Sequence, residues 1–263
     1  EACLSLGLLE KRGATYVNTA EADKYLRSDS PDTLTGYIRY SNAALYPMWG
    51  HLEDAVREGT HRWKQTFGFD GPIFSHFFRT EDAMREFQRG MHGFGQLTSP
   101  AVVAAFDLSR FHRLVDLGGG SGHLAEAARA RYPHMEATVF DLPGVAQMFP
   151  GTIAGDFFTD PLPPADLYSL GRILHDWSEE KIRRLLVKVY AALPPGGGLL
   201  VGERLLEPHY VSAHMQSLNM LVVTEGRERS AEEYAALLRE AGFSSVSSRQ
   251  TGVPLDAILA LKT

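Results

Sequence analysis

One imidazole and two carboxylates have the types and placement to move a proton. His175 lies in the run Arg172-Ile173-Leu174-His175-Asp176-Trp177, just past a predicted strand, where open α/β sheets bind their ligands. Histidine titrates near 6.5 and accepts a proton close to neutral pH. A phenol titrates near 10, so a histidine can take its proton only while the oxygen attacks, not beforehand. Glu228, in the loop Thr224-Glu225-Gly226-Arg227-Glu228-Arg229, is the candidate carboxylate to fix the imidazole tautomer and stabilise the cation it becomes. Asp176 adjoins the histidine and completes the candidate catalytic set. A lone histidine at a strand end serves a local hydrogen bond equally well; the constellation is what points to chemistry.

A base of this kind needs a reagent held beside it. Leu114-Val115-Asp116-Leu117-Gly118-Gly119-Gly120-Ser121-Gly122 reads as an apolar strand, a carboxylate and a glycine turn opening a helix over residues 123–131. Glycines at alternate positions let the backbone turn tightly with no side chain between it and a ligand. The helix points unpaired N–H groups into the turn. Asp141 ends the next predicted strand, 19 residues beyond Gly122, near the spacing at which a carboxylate meets a ribose diol. The pair suggests an adenosine-containing cofactor. Asp116 would repel a pyrophosphate but hold an ammonium group, so S-adenosylmethionine is favoured, leaving S-adenosylhomocysteine as product.

Other chemistries are weaker. Gly120-Ser121-Gly122-His123-Leu124-Ala125 also satisfies G-x-G-x-x-G/A, which keeps a nicotinamide-dependent oxidoreductase as the alternative enzyme. A non-catalytic cofactor-binding regulatory protein is the alternative outside catalysis. No metal is expected: no histidine pair recurs at i, i+4 with a third acidic ligand nearby, and Glu179 and Glu180 are explained by the first turn of a helix.

The 263 residues, 44% hydrophobic, suffice for one full core and a smaller second one. With 26 basic and 32 acidic residues the net charge is −6, which offers no field attractive to nucleic acid or an anionic membrane. A single cysteine, Cys3, excludes internal disulfides and cysteine metal sites and fits a reducing compartment. No apolar run approaches a membrane span and no signal peptide opens the chain, so a cytoplasmic location is expected. Glu1 opens the chain without an initiator methionine, and residues upstream are expected.

From residue 106 strands and helices alternate, predicting an α/β, Rossmann-like domain with a mostly parallel sheet over 106–263. The predicted strands are 113–117, 137–142, 166–174, 198–206, 245–250 and 256–261. Ser178 is placed to cap a helix with Ile182, Leu185, Leu186, Val189 and Leu193 on its inner face, and Ser230 with Glu233 forms a capping box for another. Only ten residues separate Asp141 from Thr152, short for a parallel crossover; either its helix is reduced or residues are absent. Residues 1–105 lack the alternation and read as a mainly helical, aromatic-rich roof over the pocket.

These motifs together resemble the class I, metal-independent small-molecule O-methyltransferases, most closely the hydroxyindole (acetylserotonin) O-methyltransferase group. The resemblance covers nearly the whole chain. It rests on residues 116–122, Phe140-Asp141-Leu142-Pro143, Gly155-Asp156-Phe157-Phe158, residues 172–177, Pro195-Gly196-Gly197-Gly198, and Ser217-Leu218-Asn219-Met220-Leu221 followed by residues 225–229. It implies methyl transfer to an aromatic hydroxyl of a small molecule, with His175 as base and Glu228 as its partner. Cofactor contacts are implied at Asp116, Gly118, Gly120, Asp141, Leu142, Gly155, Asp156, Phe157 and Arg172, with Tyr46 and Trp63 reaching down from the roof. Substrate contacts are expected at Asn219, Met220, Met91 and Phe94. Family members build an intertwined homodimer through a winged-helix-like N-terminal segment. Only its tail, around Gly7-Leu8-Leu9-Glu10-Lys11 and Tyr16-Val17-Asn18-Thr19, is present here, so a homodimer is expected of the full-length protein.

Overall fold

Aromatic residues spaced for helices, with few strand-like runs among them, make the first part of the chain a helical layer. The computed structural model describes residues 1–263. A short helix α1 (Ala2–Ser5) leads into a two-stranded antiparallel hairpin of β1 (Leu9–Arg12) and β2 (Thr15–Asn18). Thr19 then caps α2 (Ala20–Tyr25) by accepting the N–H of Ala22. There follow α3 (Thr35–Tyr40), α4 (Tyr46–Trp49), α5 (Leu52–Glu58), α6 (Trp63–Phe67) and α7 (Ile73–Phe77). Thr80 caps the 24-residue α8 (Glu81–Ala104), about 36 Å long at 1.5 Å per residue. Tyr40, Met48, Trp63 and Phe77 form the core of this layer together with Met220 and Val223 from much later in the chain.

The sheet starts where an apolar run permits burial on both faces. In β3 (Arg113–Leu117) only Arg113 is exposed. It pairs in parallel with β4 (Glu136–Asp141) on one side and β6 (Leu167–Gly171) on the other. With β5 (Ile153–Ala154), β7 (Gly198–Glu203), β8 (Ser245–Arg249) and β9 (Asp256–Leu261) the order is β5-β4-β3-β6-β7-β9-β8, in which β9 runs antiparallel to both its neighbours. The chain travels outward from β3 to β5 and then returns to β6, which leaves a crevice at the carboxyl ends of β3 and β6.

Helices α9 (His123–Arg131), α10 (Pro143–Met148), α11 (Glu179–Ala192), α12 (Val211–Val223) and α13 (Ala231–Glu240) cover this sheet and close the roof. Ser178 caps α11 and Ser230 with Glu233 makes a full capping box on α13, as their spacing predicts. Ile182, Leu185, Leu186 and Val189 bury one stripe of α11 against Val115, Tyr168 and Val201 of the sheet. The short interval after Asp141 is bridged by the six residues of α10, so the crossover helix is reduced. The strand expected over 166–174 stops at Gly171, because Arg172 turns to φ +59 and a 3-10 turn, Leu174–Asp176, follows. That break brings His175 out of the sheet and onto the crevice.

Candidate active site

The glycine turn after β3 has the backbone its composition demands. Gly118, Gly120 and Gly122 have φ of +70, +56 and +84, a region L-residues with side chains rarely occupy. Asp141 pins the turn from the end of β4: its Oδ2 accepts the N–H of Gly120 at 2.8 Å and its Oδ1 that of Leu142 at 2.7 Å. Burial raises the Asp141 pKa to about 6 against the pull of those two N–H groups. Asp116 lies one layer deeper. Ser169 donates to its Oδ1 at 2.7 Å, while Oδ2 is buried without a partner, and burial pushes its pKa up to about 7.

Above the turn lies a cavity of about 450 Å³. Its wall includes Gly118, Gly120, Asp141, Leu142, Gly155, Asp156, Phe157 and Arg172 toward the sheet, and Met91, Asn219 and Met220 toward the roof. Trp49 donates its indole N–H to Asn219 Oδ1 at 2.9 Å, which leaves the Asn219 amide N–H groups as donors. Phe94 stands behind the wall, its ring centroid 4.5 Å from the Arg172 guanidinium carbon.

Two expected roof contacts are corrected. Tyr46 is 79% exposed and Trp63 is fully buried, and neither reaches the cavity. Trp63 is held in the helical core by Phe67 and Phe77, with its N–H on the Val223 carbonyl at 2.8 Å. Asp116 likewise underlies the turn and does not reach the wall. The aromatic roof is supplied instead by Tyr37, Tyr40, Phe74, Phe77, Phe78 and Phe87. Phe74, Phe77, Phe78 and Phe87 belong to the phenylalanine-rich helical stretch from which the roof is expected; Tyr37 and Tyr40 lie outside that stretch and are not expected from it.

His175 reaches the same cavity and is 3% exposed. Its Nδ1 lies 2.7 Å from Oε1 of the fully buried Glu228, so in the neutral ring Nδ1–H donates to the carboxylate and Nε2 carries the lone pair. An isolated parallel bridge, Leu205 to Arg229, ties the Glu228 loop to the chain leaving β7. Gly226 lets that loop pass: a Cβ there would come 2.2 Å from the His175 carbonyl oxygen. Asp176 faces the other nitrogen, its Oδ1 3.7 Å from Nε2.

The structure adds a residue that sequence reasoning missed. Glu203, the last residue of β7 and fully buried, accepts the N–H groups of Ile173 and Leu174 at 3.0 and 2.7 Å through Oε1. Its Oε2 lies 3.5 Å from His175 Nδ1. A carboxylate closing the otherwise uncharged strand Gly198–Glu203 was the available signal. Burial alone lowers the pKa of His175, but Glu203, Glu228 and Asp176 together outweigh it and raise it to about 10. Burial in turn raises Glu203 to about 7 and Asp176 to about 6. His175, Glu203 and Glu228 also stand close enough for a cation, but Nδ1 is committed to Glu228 and one Glu203 oxygen to the backbone.

A crevice between β3 and β6, with the reversed strand β9 inserted between β7 and the edge strand β8, defines the class I methyltransferase fold. Residues 49–244 match the O-methyltransferase domain family, and the chain belongs to it. It is 44% identical to bovine acetylserotonin O-methyltransferase over 279 residues, covering 99% of this chain and 81% of that one. Human N-acetylserotonin methyltransferase in complex with SAM superposes with a TM-score of 0.95 at 41% identity, over 99% of this chain and 81% of that one. PigF with SAH does so at 0.90 and 29% identity, over 99% and 83%. Membership in a methyltransferase family sets aside the nicotinamide oxidoreductase and the non-catalytic alternative.

Proposed function

We propose that this chain methylates an aromatic hydroxyl of a hydroxyindole-type small molecule, with S-adenosylmethionine as donor and His175 as general base. The carrying observation is the carboxylate-backed imidazole, Glu228 to His175 at 2.7 Å, on the wall of the cavity that the glycine turn floors. When bound, S-adenosylmethionine supplies an electrophilic methyl group on a cationic sulfur. The residues fit it: the turn presents glycine backbone at positive φ with no side chain of its own toward a ligand, and Asp116, buried beneath it with Oδ2 unpartnered, places a negative charge under the turn when ionised. Asp141 is placed for the ribose hydroxyls, and Gly155, Asp156 and Phe157 for the adenine.

Catalysis then rests on two contributions. Tyr40, Phe77, Met91 and Met220 exclude water and hold the acceptor ring in the cavity, so that attack is made from a fixed geometry. His175 Nε2 takes the hydroxyl proton as the oxygen attacks, and Glu228 stabilises the resulting imidazolium. The hydroxyindole class is favoured by the relatives named above and by Asn219, whose amide faces the cavity as a donor for a carbonyl oxygen of the acceptor. Transfer of labelled methyl groups to N-acetylserotonin, compared with flavonoid and polyketide phenols, tests this reading; transfer only to the latter refutes the substrate class.

No helix is long and apolar enough to cross a membrane, and the exposed lone thiol of Cys3 supports a cytoplasmic setting. A homodimer is the assembly this reading carries, formed through the N-terminal segment, whose exposed apolar side chains include Leu6 and Tyr16.

A further inference from the structure

The glycine turn gives the amino-acid end of the donor room but no side chain, and the residues around it suggest what receives that end. His123, the first residue of α9, lines the cavity. Its ring lies against the backbone of α8 at Gly95, where an added Cβ would come 2.2 Å from it. Only glycine leaves that space. Ser99, four residues along α8, holds His123 Nδ1 at 2.7 Å. Beside it His92 Nδ1 and Ser121 Oγ are 2.8 Å apart, and Ser121 and Gln88 also line the cavity. Burial, with Arg172 and His92 nearby, pushes the His123 pKa down to about 3, so the ring is neutral.

We propose that His123 binds the carboxylate of the donor's amino-acid end: with Ser99 donating to Nδ1, Nε2–H is left as a donor beside Arg172, and Gly95 is required to seat the ring. This rests on the cofactor proposed above. It assigns the amino-acid end to a neutral donor and one guanidinium, so discrimination between ligands with and without that end is its consequence.

Calorimetric titration of the wild type, H123A and G95A with S-adenosylhomocysteine and with methylthioadenosine, which lacks the amino acid, tests it. Loss of one hydrogen bond to a charged group is worth about tenfold or more in Kd. H123A should weaken S-adenosylhomocysteine by that factor and leave methylthioadenosine within about twofold. G95A, which forces the ring out without itself lining the cavity, should reproduce the pattern and stands in if H123A does not fold. Equal loss of both compounds, or loss of neither, overturns the role of His123. Failure of the wild type to bind either compound would instead overturn the cofactor reading beneath it.

Discussion

A base surrounded by three carboxylates has to remain able to accept a proton. Glu203, Glu228 and Asp176 all favour the imidazolium of His175, and an imidazolium cannot act as a base. Protonation of Glu203, whose pKa burial raises to about 7, removes one of those charges while its Oε1 still holds the turn that carries the histidine. Because a nearby negative charge raises a histidine pKa, removing one must lower it. Glu203→Gln should therefore shift the alkaline-rising limb of the kcat profile to lower pH, while keeping the hydrogen bonds to Ile173 and Leu174. Profiles of both proteins between about pH 6 and 10 decide this; an unmoved or upward-moved limb would show that Glu203 does not set the proton affinity of His175. His175 and Glu228 were legible as candidates because one follows a predicted strand, where open α/β sheets bind ligands, and the other stands in the loop just before the helix that Ser230 caps. Glu203 was not, since it meets His175 only after β7 is laid beside β6.

At the scale of elements, the site is made by places where chain segments touch without side chains between them. The strand over 113–117 was legible to the residue because apolar residues fill it and glycines end it. The break after Gly171 was hidden, because nothing in the residue type of Arg172 announces a positive φ. The roof was legible as helical and aromatic, but the direction of any one ring depends on how its helix is turned. Tyr46 and Trp63 point elsewhere for that reason, and α3, α7 and α8 supply most of the covering rings. Gly226 is the contact that seats the Glu228 loop on the turn carrying His175. Gly226→Ala would press a Cβ onto the His175 carbonyl, moving the imidazole from its carboxylate. A displacement near 1 Å costs about 10²-fold in rate. Turnover should fall by about 10- to 100-fold with affinity for S-adenosylhomocysteine little changed; full turnover would show that the loop has room to spare.

Across the whole molecule, the two halves share one cavity, and its buried charges bear on stability. Met220 and Val223 of α12 complete the core of the N-terminal helices, a long-range pairing that no local periodicity reveals. Asp116 is a charge buried within the sheet, with one oxygen unpartnered. Its folded pKa of about 7 lies above the ordinary carboxyl value of 3.8, so the fold holds that proton more tightly than the unfolded chain does. Its contribution to stability is full below about pH 4 and is lost as the pH rises through 7. The melting temperature of the ligand-free protein should fall over that range relative to Asp116→Asn, by the equivalent of a few kcal/mol at most. Thermal unfolding of both proteins at pH 5 and pH 8 measures it, and parallel melting curves at the two pH values would contradict it.

Proton removal by His175 is the claim on which the catalytic reading stands, and the acidity of the acceptor tests it most directly. Single-turnover methyl transfer by wild type and H175A is to be compared on an ordinary phenol and on a ring-substituted phenol already ionised at the assay pH. With the ordinary phenol H175A should lose about 10²- to 10⁴-fold, the worth of a general base, with cofactor affinity unchanged. With the ionised phenol most of that loss should vanish, because no proton remains to be taken. An equal loss on both acceptors would show that His175 positions the ring and does not act as the base.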